Sequence, residues 1–146
     1  MLVATDGSAE SLAALTFAAR LIPVDAELRL LVIVSYSTAV WPVVDEATRE
    51  RLRSAVEAAA RPAREILERA GLSASIGYRF GNAAEEILAE VEEWDPGLLV
   101  IGHRRRRGLG RLIDASVSSR VLRRAQVPML IAGQTVKSTI RSRSVA

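Results

Sequence analysis

Leu28–Ser35 reads LRLLVIVS, almost continuously apolar and β-branched in its second half. A strand that is apolar on both faces belongs in the middle of a parallel sheet, covered by helices above and below. That requirement constrains everything else, because each parallel neighbour needs a crossover, usually helical, to reach its place. Four more short runs fit as those neighbours: Leu2–Thr5, the alternating Ser73–Phe80, Leu98–Gly102, and Val127–Ala132 with Pro128 near its start. The alternation in Ser73–Phe80 and the proline in the last run place both toward sheet edges.

Helical patterns fill the intervals. Ser8 can cap a first helix whose stripe is Leu12, Leu15, Ala19 and Ile22, and Pro23 ends it. Glu46–Ala70 carries Leu52, Val56, Ala59, Ala63, Ile66 and Ala70 on one face, with Gly71 as C-cap. Pro62 lies inside this stretch and predicts a kink or a split. Asn82 with Glu85 resembles a capping box before the stripe Ala84, Ile87, Leu88 and Val91, and Asp95-Pro96-Gly97 ends that helix. Val117, Val121, Leu122 and Ala125 make a short fourth helix. Residues 36–45, with Tyr36, Trp41 and Pro42, read as an apolar connection packed against the body. Strands alternating with helices predict one α/β domain, an open five-stranded parallel sheet with helices on both faces, over residues 1–132. Residues 133–146 carry no periodic pattern and read as a flexible basic tail.

Ligands of such sheets bind beyond the carboxyl ends of the strands, where strand order reverses. The ends here include Thr5-Asp6, Val34-Ser35 and Gly102. Asp6 can accept hydrogen bonds from a ribose or a base there, and it also suits a local turn that caps the first helix together with Ser8. After Gly102 the chain enters a Gly- and Arg-rich loop that leads to a helix start near Ser116, the order in which α/β domains build phosphate sites.

Composition closes several routes. Without cysteine there are no disulfides, thiolate metal sites or cysteine nucleophiles. His103 is the only histidine, so a multi-histidine metal site and a His–His relay are excluded, and it reads as a surface or ligand-contact residue. There is no Gly-x-Ser-x-Gly elbow, no Gly-x-Gly-x-x-Gly fingerprint and no phosphate loop of the Gly-Lys-Ser/Thr kind. No apolar run is long enough to cross a bilayer and no signal peptide is evident, so a cytoplasmic protein is expected. The net charge of +3 conceals an asymmetry: residues 1–101 carry 9 basic and 16 acidic side chains, residues 102–146 carry 11 and one. Such a division suits a face that meets anions.

Four stretches together, VATDGS at residues 3–8, GNAAEEIL at 81–88, LLVIGHR at 98–104 and LGRLIDASVSSRVLRRAQVPMLIA at 109–132, resemble the universal stress protein family. The resemblance spans nearly the whole chain and implies a Rossmann-like sheet with strand order 3-2-1-4-5. It also implies a homodimer formed through the last strand, Val127–Ala132, and an adenine nucleotide such as ATP or AMP as ligand. Nucleotide-binding members carry Gly-x-x-Gly, nine residues, then Gly-Ser or Gly-Thr. Here Gly102 matches the first glycine and Ser116 the serine that meets phosphate, while Arg105 and Ala115 stand where the other two glycines would. A side chain at either place removes the freedom to adopt positive φ and occupies space near an anion. Asp114 adds a like charge, whereas Arg104–Arg107 and Arg111 offer guanidiniums that can hold phosphate by side chain.

The resemblance therefore implies a regulatory or protective binding protein, not a turnover enzyme, with a degenerate nucleotide site at the ends of strands 1, 2 and 4. Ala4, Thr5, Asp6, Val34 and Ser35 are expected at the adenosine, and Gly102, Arg104, Arg105, Ala115, Ser116, Val117 and Ser118 at the phosphates. No metal, membrane or nucleic-acid partner is expected. The alternative is a dimeric interaction module that has lost the nucleotide and binds acidic partners through its basic loop.

Overall fold

Successive side chains of the three inner strands point to opposite faces of the sheet, and both faces are buried. The computed structural model describes residues 1–23, 25–35, 45–103 and 116–133. Its elements run β1 (Leu2–Thr5), α1 (Ala9–Leu21), β2 (Arg29–Val34), α2 (Glu46–Arg69), β3 (Ser75–Phe80), α3 (Ala83–Trp94), β4 (Leu99–His103), α4 (Val117–Leu122) and β5 (Met129–Gly133). All five strands are parallel, in the order β3-β2-β1-β4-β5.

On one face Val3, Leu30, Val32 and Val100 pack with Ala14, Leu15 and Ala18 of α1 and Ala60, Ala63 and Leu67 of α2. On the other, Leu2, Ala4, Leu31, Ile33, Leu99 and Ile101 pack with Ala84, Ile87 and Leu88 of α3 and Val121 of α4. Each fully buried leucine or isoleucine contributes about 1.5–3 kcal/mol of transfer free energy. The period-two division explains why β1, β2 and β4 are apolar without interruption.

Serine, aspartate and asparagine start the helices as their positions suggest. Ser8, Asp45, Asn82 and Ser116 are the N-caps of α1 to α4, each side chain accepting from a backbone N–H in the first turn. Two expectations need correction. The helix over Glu46–Arg69 is not split: it is one element that continues through Pro62. Its packing against β2 and α1 outweighs the hydrogen bond that proline removes. The capping box at Asn82 is half formed, because the Glu85 carboxylate lies 2.6 Å from Arg124 of the turn after α4. The interval from Ser73 yields strand only from Ser75, and Pro128 lies just before β5.

One charged residue is drawn into the interior. Glu90 of α3 is 3 % exposed, and its carboxylate accepts from Arg29 Nε of β2 and, at 2.6 Å, from Arg79 Nε of β3. Arg79 also reaches Glu93 at 2.6 Å, and the Arg29 guanidinium lies 6.0 Å from the centre of the Trp94 ring. Burial pushes the Glu90 carboxyl up, but the bonds from Arg79 and Arg29 outweigh it and hold it below the ordinary carboxylate range.

Candidate functional site

β1, β2 and β3 extend the sheet in one direction and β4 and β5 in the other, so strand order reverses between β1 and β4. The register pairs Ala4 with Ile101, which brings the residues after each, Thr5 and Gly102, to one rim. A crevice at that rim is where an open α/β sheet takes its ligand.

The β1 side of the rim is closed by hydroxyls. Asp6 Oδ1 accepts from Ser8 N–H at 3.0 Å, Ser8 Oγ–H at 2.5 Å and Ser11 Oγ–H at 2.9 Å. Thr5 Oγ1 accepts from Gly7 N–H at 3.1 Å and lies 2.9 Å from Ser11 Oγ. Thr5 and Ser11 are 2 % and 5 % exposed, whereas Asp6 is exposed. Gly7 permits the turn: its φ is +77°, and a β-carbon there would lie 2.7 Å from Ala59 Cα of α2. Asp6 therefore performs the local turn role open to it, with Ser8 as the cap beside it.

The β4 side meets α4. His103 Nδ1 is 3.0 Å from the buried hydroxyl of Ser118, which lies 3.3 Å from Ser116 Oγ. Ser116 caps α4 by accepting from Ser119 N–H at 3.1 Å, and its own hydroxyl donates to Ser119 Oγ at 2.6 Å. Gly102 joins the two sides. A β-carbon on it would fall 2.6 Å from Ser11 N and 2.7 Å from the Glu10 carbonyl, so β4 approaches the first turn of α1 closely enough to require glycine.

The remaining expected residues divide as follows. Val34 is half-buried at the end of β2, its carbonyl accepting from Gly81 N–H at 3.2 Å, and Ser35 beyond it is exposed. Ala4 is 4 % exposed, in the core beneath α3 and α4, and Val117 is exposed on α4. Arg104, Arg105 and Ala115 lie outside the described residues, as do Arg106, Arg107, Arg111, Asp114, residues 36–44 and the tail beyond Gly133. Ser11 carries no motif signal: of the stripe expected for α1 only Leu15 is fully buried, and the interior face is Ser11, Ala14, Leu15 and Ala18, with Leu12 and Ile22 at its margin. His103 has an orienting partner fifteen residues on in Ser118, which no short motif reveals. Among the described residues no group of three or more acidic or histidine side chains comes together as a metal site, and no helix is long and apolar enough to cross a membrane.

The sequence model described as the Universal stress protein family matches residues 1–133. The chain belongs to that family. Among solved structures, this universal stress protein is similar to UspA from Lactobacillus plantarum at 21 % identity, with a TM-score of 0.75 and coverage of 90 % of this chain and 94 % of the other. A universal stress protein in complex with cAMP is similar at 21 % identity and a TM-score of 0.68, with 89 % and 93 % covered. A family protein from Arabidopsis thaliana with AMP bound is similar at 18 % identity and a TM-score of 0.65, with 97 % and 95 % covered. At these identities the likeness shows the fold. Among curated proteins none matches the chain.

Proposed function

We propose that this universal stress protein binds an adenine nucleotide across the crevice between the ends of β1 and β4, as a binding module and not as a turnover enzyme. Asp6 accepts from the ribose hydroxyls, Val34 and Ser35 flank the base, and the turn at Ser116–Ser118 meets phosphate. The observation that carries this reading is the close approach of Gly102 to the first turn of α1, whose Ser11 bonds Asp6, with the next residue of β4, His103, bonded to Ser118 of α4. A carboxylate suited to a diol on one side and a serine-capped helix start on the other match a nucleoside phosphate end to end. Two relatives of the same fold hold cAMP and AMP. Mass spectrometry of small molecules released from the purified protein tests the proposal. An adenine nucleotide in stoichiometric amount supports it, and a different class of stoichiometric ligand overturns it.

The same reading makes the protein a homodimer paired through β5, an edge strand whose Ile131 is 37 % exposed. Light scattering at twice the chain mass of 15.8 kDa supports this, and the mass of a single chain contradicts it.

A further inference from the structure

We propose that Ser11 is a positioning residue for Asp6, turning its carboxylate to accept the ribose hydroxyls of the nucleotide; the inference rests on the reading just given. The protons of the cluster can be followed one at a time. Gly7 N–H donates to Thr5 Oγ1, and the one hydroxyl proton of Thr5 has Ser11 Oγ within 2.9 Å. The one proton of Ser11 can reach Asp6 Oδ1 at 2.9 Å or its own helix-turn carbonyl, Ser8 O, at 3.0 Å. A carboxylate is the stronger acceptor. Donation therefore runs from Gly7 through Thr5 and Ser11 to Asp6, and Ser8 Oγ–H adds a second hydroxyl proton on the same oxygen.

Capping of α1 does not require the Ser11 hydroxyl. The N-cap of α1 is already supplied by Ser8, whose Oγ accepts from Ser11 N–H. Ser11 shares the buried face of α1 with Ala14, Leu15 and Ala18. Being 5 % exposed, the hydroxyl gains nothing from water. What it adds is a buried, fixed donor to the carboxylate oxygen that Ser8 N–H and Ser8 Oγ–H reach from the exposed side. The backbone of Ser11 is itself held in place, since β4 approaches it at Gly102.

The test compares AMP with 2′,3′-dideoxy-AMP by calorimetric titration of the wild type, Ser11→Ala and Ser11→Cys. The wild type is expected to prefer AMP by about tenfold, the worth of one hydrogen bond to a charged group. Ser11→Ala brings the two ligands to within about twofold, through weaker AMP binding with dideoxy-AMP little changed, while it stays folded with a lower melting temperature, because the buried Thr5 hydroxyl loses its acceptor. Ser11→Cys keeps the shape but has a poor donor and is expected to lose the preference too, which decides the matter if the alanine variant does not fold. A folded variant that keeps the wild-type preference overturns the role of Ser11 and leaves the nucleotide reading standing. A wild type that binds both ligands without preference also overturns it. A wild type that binds neither overturns both.

Discussion

Gly102 and Glu10 meet backbone to backbone: a β-carbon on Gly102 would fall 2.7 Å from both the carbonyl carbon and the carbonyl oxygen of Glu10. The glycine that aligns with a phosphate-loop motif is thus required by the packing of β4 against α1, before any ligand arrives. Main-chain atoms cannot swing aside as a side-chain end can. Gly102→Ala is expected to cost about 1–3 kcal/mol, typical of overpacking. That corresponds to a melting temperature lower by several degrees, at about 2–4 °C per kcal/mol for a chain of this size. A variant melting at the wild-type temperature would contradict the close approach.

Glu90 gives a prediction with a definite sign in pH. Its folded carboxyl titrates below the ordinary range, so the unfolded chain takes up the proton first as pH falls. Its contribution is complete above the unfolded value of about 4.3 and is lost as pH drops through the folded one. Glu90→Gln leaves Arg29 and Arg79 without their shared anion and is expected to cost about 2–4 kcal/mol near neutral pH. That lies toward the low end for a broken buried pair, because both arginines retain partial contact with water. Urea unfolding at pH 7 and pH 3 checks this: the gap between wild type and variant narrows at the lower pH. A gap that widens there would reverse the assigned direction.

Pro62 should be a site of easy improvement. It lies within α2, where it supplies no N–H for the carbonyl of Ala58, an exposed residue. Pro62→Ala restores that donor and removes the ring clash, against some loss of rigidity in the unfolded chain. The expected gain is about 1–3 kcal/mol by denaturant titration, within the interior helix cost of proline. A loss of stability would mean that the ring packs better than its half-buried position indicates.

The sequence disclosed the sheet more readily than the site. Both-face burial of β1, β2 and β4 leaves unbroken apolar runs, and Ser8, Asn82 and Ser116 cap helices because their side-chain oxygens meet backbone N–H groups close in sequence. The order 3-2-1-4-5 came from the family resemblance, since periodicity cannot say which strands are neighbours. What stayed hidden depends on distance along the chain. Glu90 looks like one more polar residue of an amphipathic helix until Arg29, 61 positions away, is found against it. The requirement for glycine at 102 is likewise set by Glu10 and Ser11, not by its own loop. Helix α2 outlasted Pro62 because tertiary packing, invisible to a local rule, favours its continuation. Arg105 and Ala115, where the motif departs from the family, lie outside the described residues.

The nucleotide proposal is tested most directly by calorimetric titration of the ligand-stripped protein with AMP. Saturable heat is expected with one site per chain and a dissociation constant of about 1 mM or tighter, weakened at least tenfold in Asp6→Ala. No heat with AMP, ADP or ATP at millimolar concentrations, from a protein whose melting curve shows it folded, would contradict it.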